Sequence, residues 1–199
     1  MPVPLASLRR LSSLNASILS QKLDLIARLI ATHGDLKAME FYKSPCPMIG
    51  ASIGQHVRHS MDHMELAALI AANRIQETNS PIELHYDLRV RGGTAEHDMT
   101  QAEHRILQVK EVFTELSKSS ISNEEQNLSV KAAFMLSDDG IEYGLMSTIH
   151  RELGFCAHHA IHHMAMIRII AIHHAGLSNL PSDFGRAPST LNFDGMLRS

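Results

Sequence analysis

The chain has 199 residues, 44% of them hydrophobic and 20% charged, with a formal net charge of −3 and a pI near 6.5. Those values describe one globular domain over residues 1–199, large enough for a substantial core, and they lack the basic footprint of a nucleic-acid binder. Cys46 and Cys156 stand far apart with no C-x-x-C, so no disulfide framework is expected and a reducing, cytoplasmic setting is the simple reading. No apolar run reaches the roughly 18 residues that a membrane helix needs.

In chain order, the first 23 residues carry Arg9, Arg10 and Lys22, several serines, and no acid before Asp24. That composition matches a mitochondrial transit peptide, but it reads first as a frayed entry, with residues 1–14 a flexible leader. Asn15 is the expected N-cap of a helix over 16–33, stopped by Gly34. Residues 35–51, with two prolines, read as a crossing loop. Ser52 caps a second helix over 53–74, and residues 78–94 form a long connection. Thr94 opens a third helix over 95–118, whose apolar side holds Leu107, Val109, Val112, Phe113 and Leu116. Over 128–146 the apolar residues alternate around Asp139-Gly140, the signal of a small β-hairpin. Ser147 or Thr148 caps a last helix that runs to about His174, and the apolar tail 177–199 is a loop packed over the rest. The fold class expected is all-α: a four-helix bundle with a small β-hairpin inserted before the last helix.

Histidine is the abnormal residue. There are 14, and nine of them fall within residues 56–63 and 158–174. The last helix carries His158, His159, His162 and His163. Residues four apart share a helix face, so His159 and His163 form one i, i+4 pair and His158 and His162 another. On the second helix His56, His59 and His63 stand at i, i+3 and i+7, on the side that Leu66 and Ile70 continue. Both sets therefore point into the bundle. Three or more imidazoles converging there suit a divalent ion such as Zn²⁺, Ni²⁺ or Fe²⁺. No glutamate alternates with them as a di-iron carboxylate site requires, and there is no H-E-x-x-H. A single core histidine is ordinarily a hydrogen-bonded structural residue; two such pairs on neighbouring helices favour metal. The histidines at 33, 85, 97, 104, 150, 173 and 174 read as surface or capping residues. Cys156 reads as a buried small apolar residue, and Met61, Met64, Met164 and Met166 as core filler.

The segment Ser52-Ile53-Gly54-Gln55-His56-Val57-Arg58-His59 with Asp62-His63, and Arg151-Glu152-Leu153 leading into His159-Ala160-Ile161-His162-His163, resemble the DinB/YfiT-like family. So do Tyr86-Asp87-Leu88-Arg89-Val90-Arg91 and Phe184-Gly185-Arg186-Ala187-Pro188-Ser189-Thr190, which are similar to one uncharacterised branch of it. The resemblance spans about 50–190. It implies a metal-binding four-helix bundle with a histidine triad, one ligand from the second helix and two from the last: His59, His159 and His163. His56, His63 and His162 are then orienting partners or, for His63, an alternative ligand. Similar proteins include thiol-dependent S-transferases and are often dimers, which implies a small-molecule substrate, a low-molecular-weight thiol among the candidates, and a homodimer.

Two functions follow as expectations. The first is a metal-dependent enzyme, an S-transferase or hydrolase, in which the ion activates a thiol or a water and Asp62 or Glu152 orients imidazoles or moves protons. The second is a non-catalytic, metal-stabilised bundle acting in binding or assembly, with His63 or His162 closing the coordination sphere.

Overall fold

A computed structural model describes residues 6–74, 82–88, 92–118 and 129–198. The apolar periodicities become four long helices, α1 (Leu8–His33), α3 (Ile53–Arg74), α4 (Met99–Lys118) and α5 (Ile149–His173). Each packs on two others: α1 and α3 both lie against α4 and α5. Leu19, Leu25, Met64, Phe113, Leu153 and Ile167 meet in the one core that results.

The all-α class does not hold. Among the described residues there are also two shorter helices, α2 (Asp35–Lys43) and α6 (Pro188–Arg198), and a three-stranded mixed sheet of β1 (Ile82–His85), β2 (Ser129–Met135) and β3 (Glu142–Thr148). The hairpin turns at Asp139-Gly140, where Gly140 takes a φ of 78°, and its strands pair antiparallel from Ser129↔Thr148 to Met135↔Glu142. It is not an isolated insertion. β1 adds to it in parallel, with Ile82 opposite Val130 and His85 opposite Ala133. Four residues are too short for alternation to announce a strand; β1 exists because β2 offers it a ladder and the core takes Leu84.

Local signals explain the other differences. Gly34 stops α1 with a φ of 72°, but the chain restarts at once as α2, which buries Ala38 and Tyr42. The Tyr42 hydroxyl donates to the carbonyl of Ala95 at 2.7 Å. Pro188 stands at the first position of α6, where a missing N–H costs nothing. Ser7, not Asn15, caps α1 by accepting from the Arg10 N–H, so residues 8–14 of the expected leader are helix, while its first five residues lie outside the described residues. Asn15 instead lies buried and donates to the carbonyls of Leu11 (2.9 Å) and Leu153 (3.1 Å), tying α1 to α5. Thr94 opens only a 3-10 turn, Thr94–Glu96, and Asp98 accepts from the first-turn N–H groups of α4. At α3 the Ser52 hydroxyl accepts from Gln55 N–H (3.1 Å) while the Gln55 side chain accepts from Ser52 N–H (2.9 Å), a reciprocal capping box. Thr148 caps α5 through Arg151 N–H.

The segment after α5 is fastened down. Phe184 is fully buried, and the Arg168 guanidinium donates to the carbonyls of Pro181 (3.1 Å) and Phe184 (3.0 Å). None of the described helices is long and apolar enough to cross a membrane.

Candidate metal centre

α3 and α5 run antiparallel, and their partners descend one helix as they ascend the other. His59 meets His159, with Nε2 atoms 3.1 Å apart. One turn earlier on α3 and one turn later on α5, His56 meets His163, with Nδ1 atoms 2.9 Å apart. At the other end the Cys156 thiol donates to the carbonyl of His63 at 3.2 Å.

The result is a nest of five imidazoles. The His59, His63 and His159 rings have centroids 4.9, 5.0 and 4.3 Å apart in the pairs 59–63, 59–159 and 63–159. A ligand nitrogen from each of these three lies within 4.8 Å of the other two. His163 stands beside them, 4.5 Å from His59 and 4.6 Å from His159 between ring centroids, but its Nδ1 faces His56. His63 is the more enclosed of the triad, and His59 and His159 are partly open. His158 and His162 are exposed on the rim of α5, although the His162 ring reaches within 5.4 Å of that of His163. His59 and His159 thus lie together, and His63, rather than His163, completes the compact set.

The surroundings favour the neutral ring. Burial, reinforced by the imidazoles of His59, His159 and His56 and by Lys22, pushes His163 down to about 2. Burial, with His162 and Lys22, also lowers His56. Neutral imidazoles keep a lone pair on one nitrogen, the form that binds a cation. Three imidazole nitrogens at this spacing, on rigid helices and partly open to one side, fit a borderline divalent ion.

Aromatic side chains wall the triad. Tyr86, which follows β1, stacks on His63 with centroids 4.8 Å apart and an interplanar angle of 16°, and Phe134 of β2 stacks in turn on the Tyr86 ring. Phe155 stacks on His159. The Tyr86 hydroxyl donates to Glu152 at 2.7 Å, and the second Glu152 oxygen accepts from Ser147 and from Arg151. Glu152 therefore acts on the triad through Tyr86. Burial pushes the Cys156 thiol up to about 12, the Tyr86 hydrogen bond only partly opposing it, so no thiolate nucleophile forms there near neutrality.

Asp62 is held in a network of charges. Its oxygens accept from Arg58 (2.8 Å) and Arg105 (2.9 Å), while Arg58 also pairs with Glu96 (2.8 Å) and Arg105 with Glu65. Arg58, Asp62, Glu65, Leu66, Tyr86 and Arg105 line a cavity of about 420 Å³. The sequence did not announce the place of Tyr86, Phe134 and Phe155 beside the imidazoles, because it is set by sheet-on-helix packing; of the segment Tyr86–Arg91, residues 89–91 lie outside the described residues.

No family model and no solved structure matches the chain. A curated protein that does match is FK506-binding protein 5 of Rhizopus delemar, 42% identical over 108 residues. The match takes in 54% of this chain and 26% of that protein, so the chain spans about a quarter of its relative's length. These findings correct the resemblance to the DinB/YfiT-like family: no model of that family matches, and the relative that does match carries another name. The S-transferase activity and the thiol substrate rested on that resemblance and fall with it.

Proposed function

We propose that the chain is a divalent-metal protein in which His59, His63 and His159 bind the ion and leave a coordination position for water or substrate. The observation that carries this reading is the approach of three imidazole nitrogens to within 4.8 Å of one another, beside two rings that burial holds neutral. A bound ion would supply Lewis-acid activation of a water or of a polar substrate group, which suits hydrolysis. The chain's own part is to fix the ligands: α3 and α5 set their spacing, and Tyr86, held by Glu152, keeps the His63 ring in place. The cavity lined by Asp62, Arg58 and Arg105 adjoins Tyr86 and is the place for a small polar substrate.

Elemental analysis of protein made without a histidine tag tests this. Wild type binds at least one Zn²⁺, Ni²⁺ or Fe²⁺ per chain after reconstitution, and His159→Ala loses it. Absence of metal from both, after soaking in each ion, overturns the proposal.

A second reading is a structural site. It is favoured by the position of His163, whose ring is as near to His59 and His159 as theirs are to each other. Four imidazoles would close the coordination sphere and leave no place for substrate. A third comes from the relative's name, which makes binding of FK506 a property to assay; a thermal shift on adding that compound to this chain would support it.

A further inference from the structure

Strand β3 lies at an edge of the sheet. It pairs with β2 on one side, and among the described residues none bonds to the backbone on its other side. Edge strands are ordinarily guarded by free charges, a proline, a bulge or a covering segment. β3 has no proline, and its ladder to β2 runs unbroken from Ser129↔Thr148 to Met135↔Glu142. Its one charged residue, Glu142, is already engaged by His85 at 2.6 Å and by the Asp87 N–H at 3.1 Å.

The strand also overhangs the helices. Residues directly opposite one another share a sheet face, so Leu84, Ala132 and Leu145 form one row across the sheet and Phe134 and Tyr143 part of the next. Leu84 and Ala132 are buried, whereas Leu145 is 48% exposed and Tyr143 is also exposed. The helical layer therefore covers β1 and β2 and stops short of β3. On the opposite face Met146 is 74% exposed. An occupant of this edge has to bring an extended backbone, apolar side chains and no opposing charge.

A second β3 meets each condition. Antiparallel pairing about a two-fold axis at Leu145, the middle residue of the strand, sets Leu145 beside its own counterpart. Tyr143 then lies beside Ser147, Gly144 beside Met146, and Glu142 beside Thr148, so no charge faces a like charge. The same pairing carries the acidic hairpin tip, Asp138 and Asp139, towards the start of α5 in the other copy. There the half-exposed Arg151 and the free N–H groups of the first turn favour negative charge.

We infer that two copies of this chain join through β3, edge to edge and antiparallel, in one continuous sheet to which each gives its three strands. The two-fold axis passes at Leu145.

Light scattering coupled to gel filtration of the tag-free chain is expected to read twice the 22.1 kDa chain mass at high micromolar concentration. Leu145→Lys and Leu145→Glu each set like charges against one another at the axis and should read the single-chain mass. Their one-to-one mixture should return to the doubled mass, because the two charges then attract. Amide hydrogen exchange of wild type makes the same test without a variant: exchange over residues 142–148 should slow as concentration rises. A single-chain mass for wild type at every concentration overturns the inference and leaves the edge to a strand of another protein. A doubled mass that both variants keep, or exchange over 142–148 that ignores concentration, places the contact elsewhere and overturns it. So does a mixture of two folded monomeric variants that stays monomeric.

Discussion

A carboxylate as buried as Glu152, 2% exposed, has to be compensated, and three donors compensate it: Tyr86, Ser147 and Arg151. Glu152→Ala takes the carboxylate from the Tyr86 hydroxyl and leaves it only the weak Cys156 sulfur at 3.6 Å, which costs about 1–3 kcal/mol and loosens the ring that packs on His63. Urea denaturation should report that loss, and metal affinity should fall by about 10–100-fold, as when an orienting partner is removed from a metal ligand. Unchanged affinity in a folded variant would make Glu152 structural only. Lys22 is the opposite case, a fully buried amine whose hydrogen bond to Ser60 does not offset its burial. Burial, with Arg105 adding repulsion, lowers it from 10.5 to about 7. Between those values the unfolded chain holds a proton that the folded chain lacks, so the metal-free protein gains stability as pH rises from about 7 towards 10.5. Lys22→Met should remove that part of the slope. It should also stabilise the protein at pH 7 by more than the ~0.5 kcal/mol typical of surface changes. Parallel urea melts of wild type and variant at two pH values measure both effects.

Helices α3 and α5 were legible in the sequence because their imidazoles recur at helical spacing among apolar residues. Ser52, Thr148 and Asp139-Gly140 announced two helix starts and a turn through local chemistry. What spacing could not supply was the axial offset between the two helices. That offset pairs His59 with His159 and His56 with His163, and so brings His63 rather than His163 into the triad. Strand β1 and the aromatic wall were hidden for a related reason, since both depend on chain segments distant in sequence. Gly54 shows how tightly α3 is placed. A Cβ there would collide with the carbonyl oxygen of Glu96 and lie 2.7 Å from the Tyr42 ring. Gly54→Ala should therefore lower the urea midpoint by an overpacking cost of about 1–3 kcal/mol without removing the metal ligands. An unchanged midpoint would mean that the 3-10 turn yields freely.

For the molecule as a whole, an ion held as proposed would join α3 to α5 and so should bind the native state and not the unfolded chain. At a free concentration 100 times the dissociation constant it adds about 2.7 kcal/mol to stability. Calorimetry should show Zn²⁺ raising the melting temperature of wild type, EDTA reversing the shift, and His59→Ala showing neither. The sheet contributes through Tyr86, which stacks on His63, and through Phe134, which stacks on Tyr86. Such a wall is absent from an all-helical arrangement, which is why the mixed architecture matters to the site.

Zinc K-edge X-ray absorption on the tag-free protein carrying one equivalent of Zn²⁺ tests the triad most directly. A first shell at about 2.0–2.1 Å with the outer-shell scattering of three imidazoles is predicted, falling to two in His63→Ala. An oxygen-only shell, or a spectrum that His63→Ala leaves unchanged, would contradict the assignment of His59, His63 and His159 as the ligands.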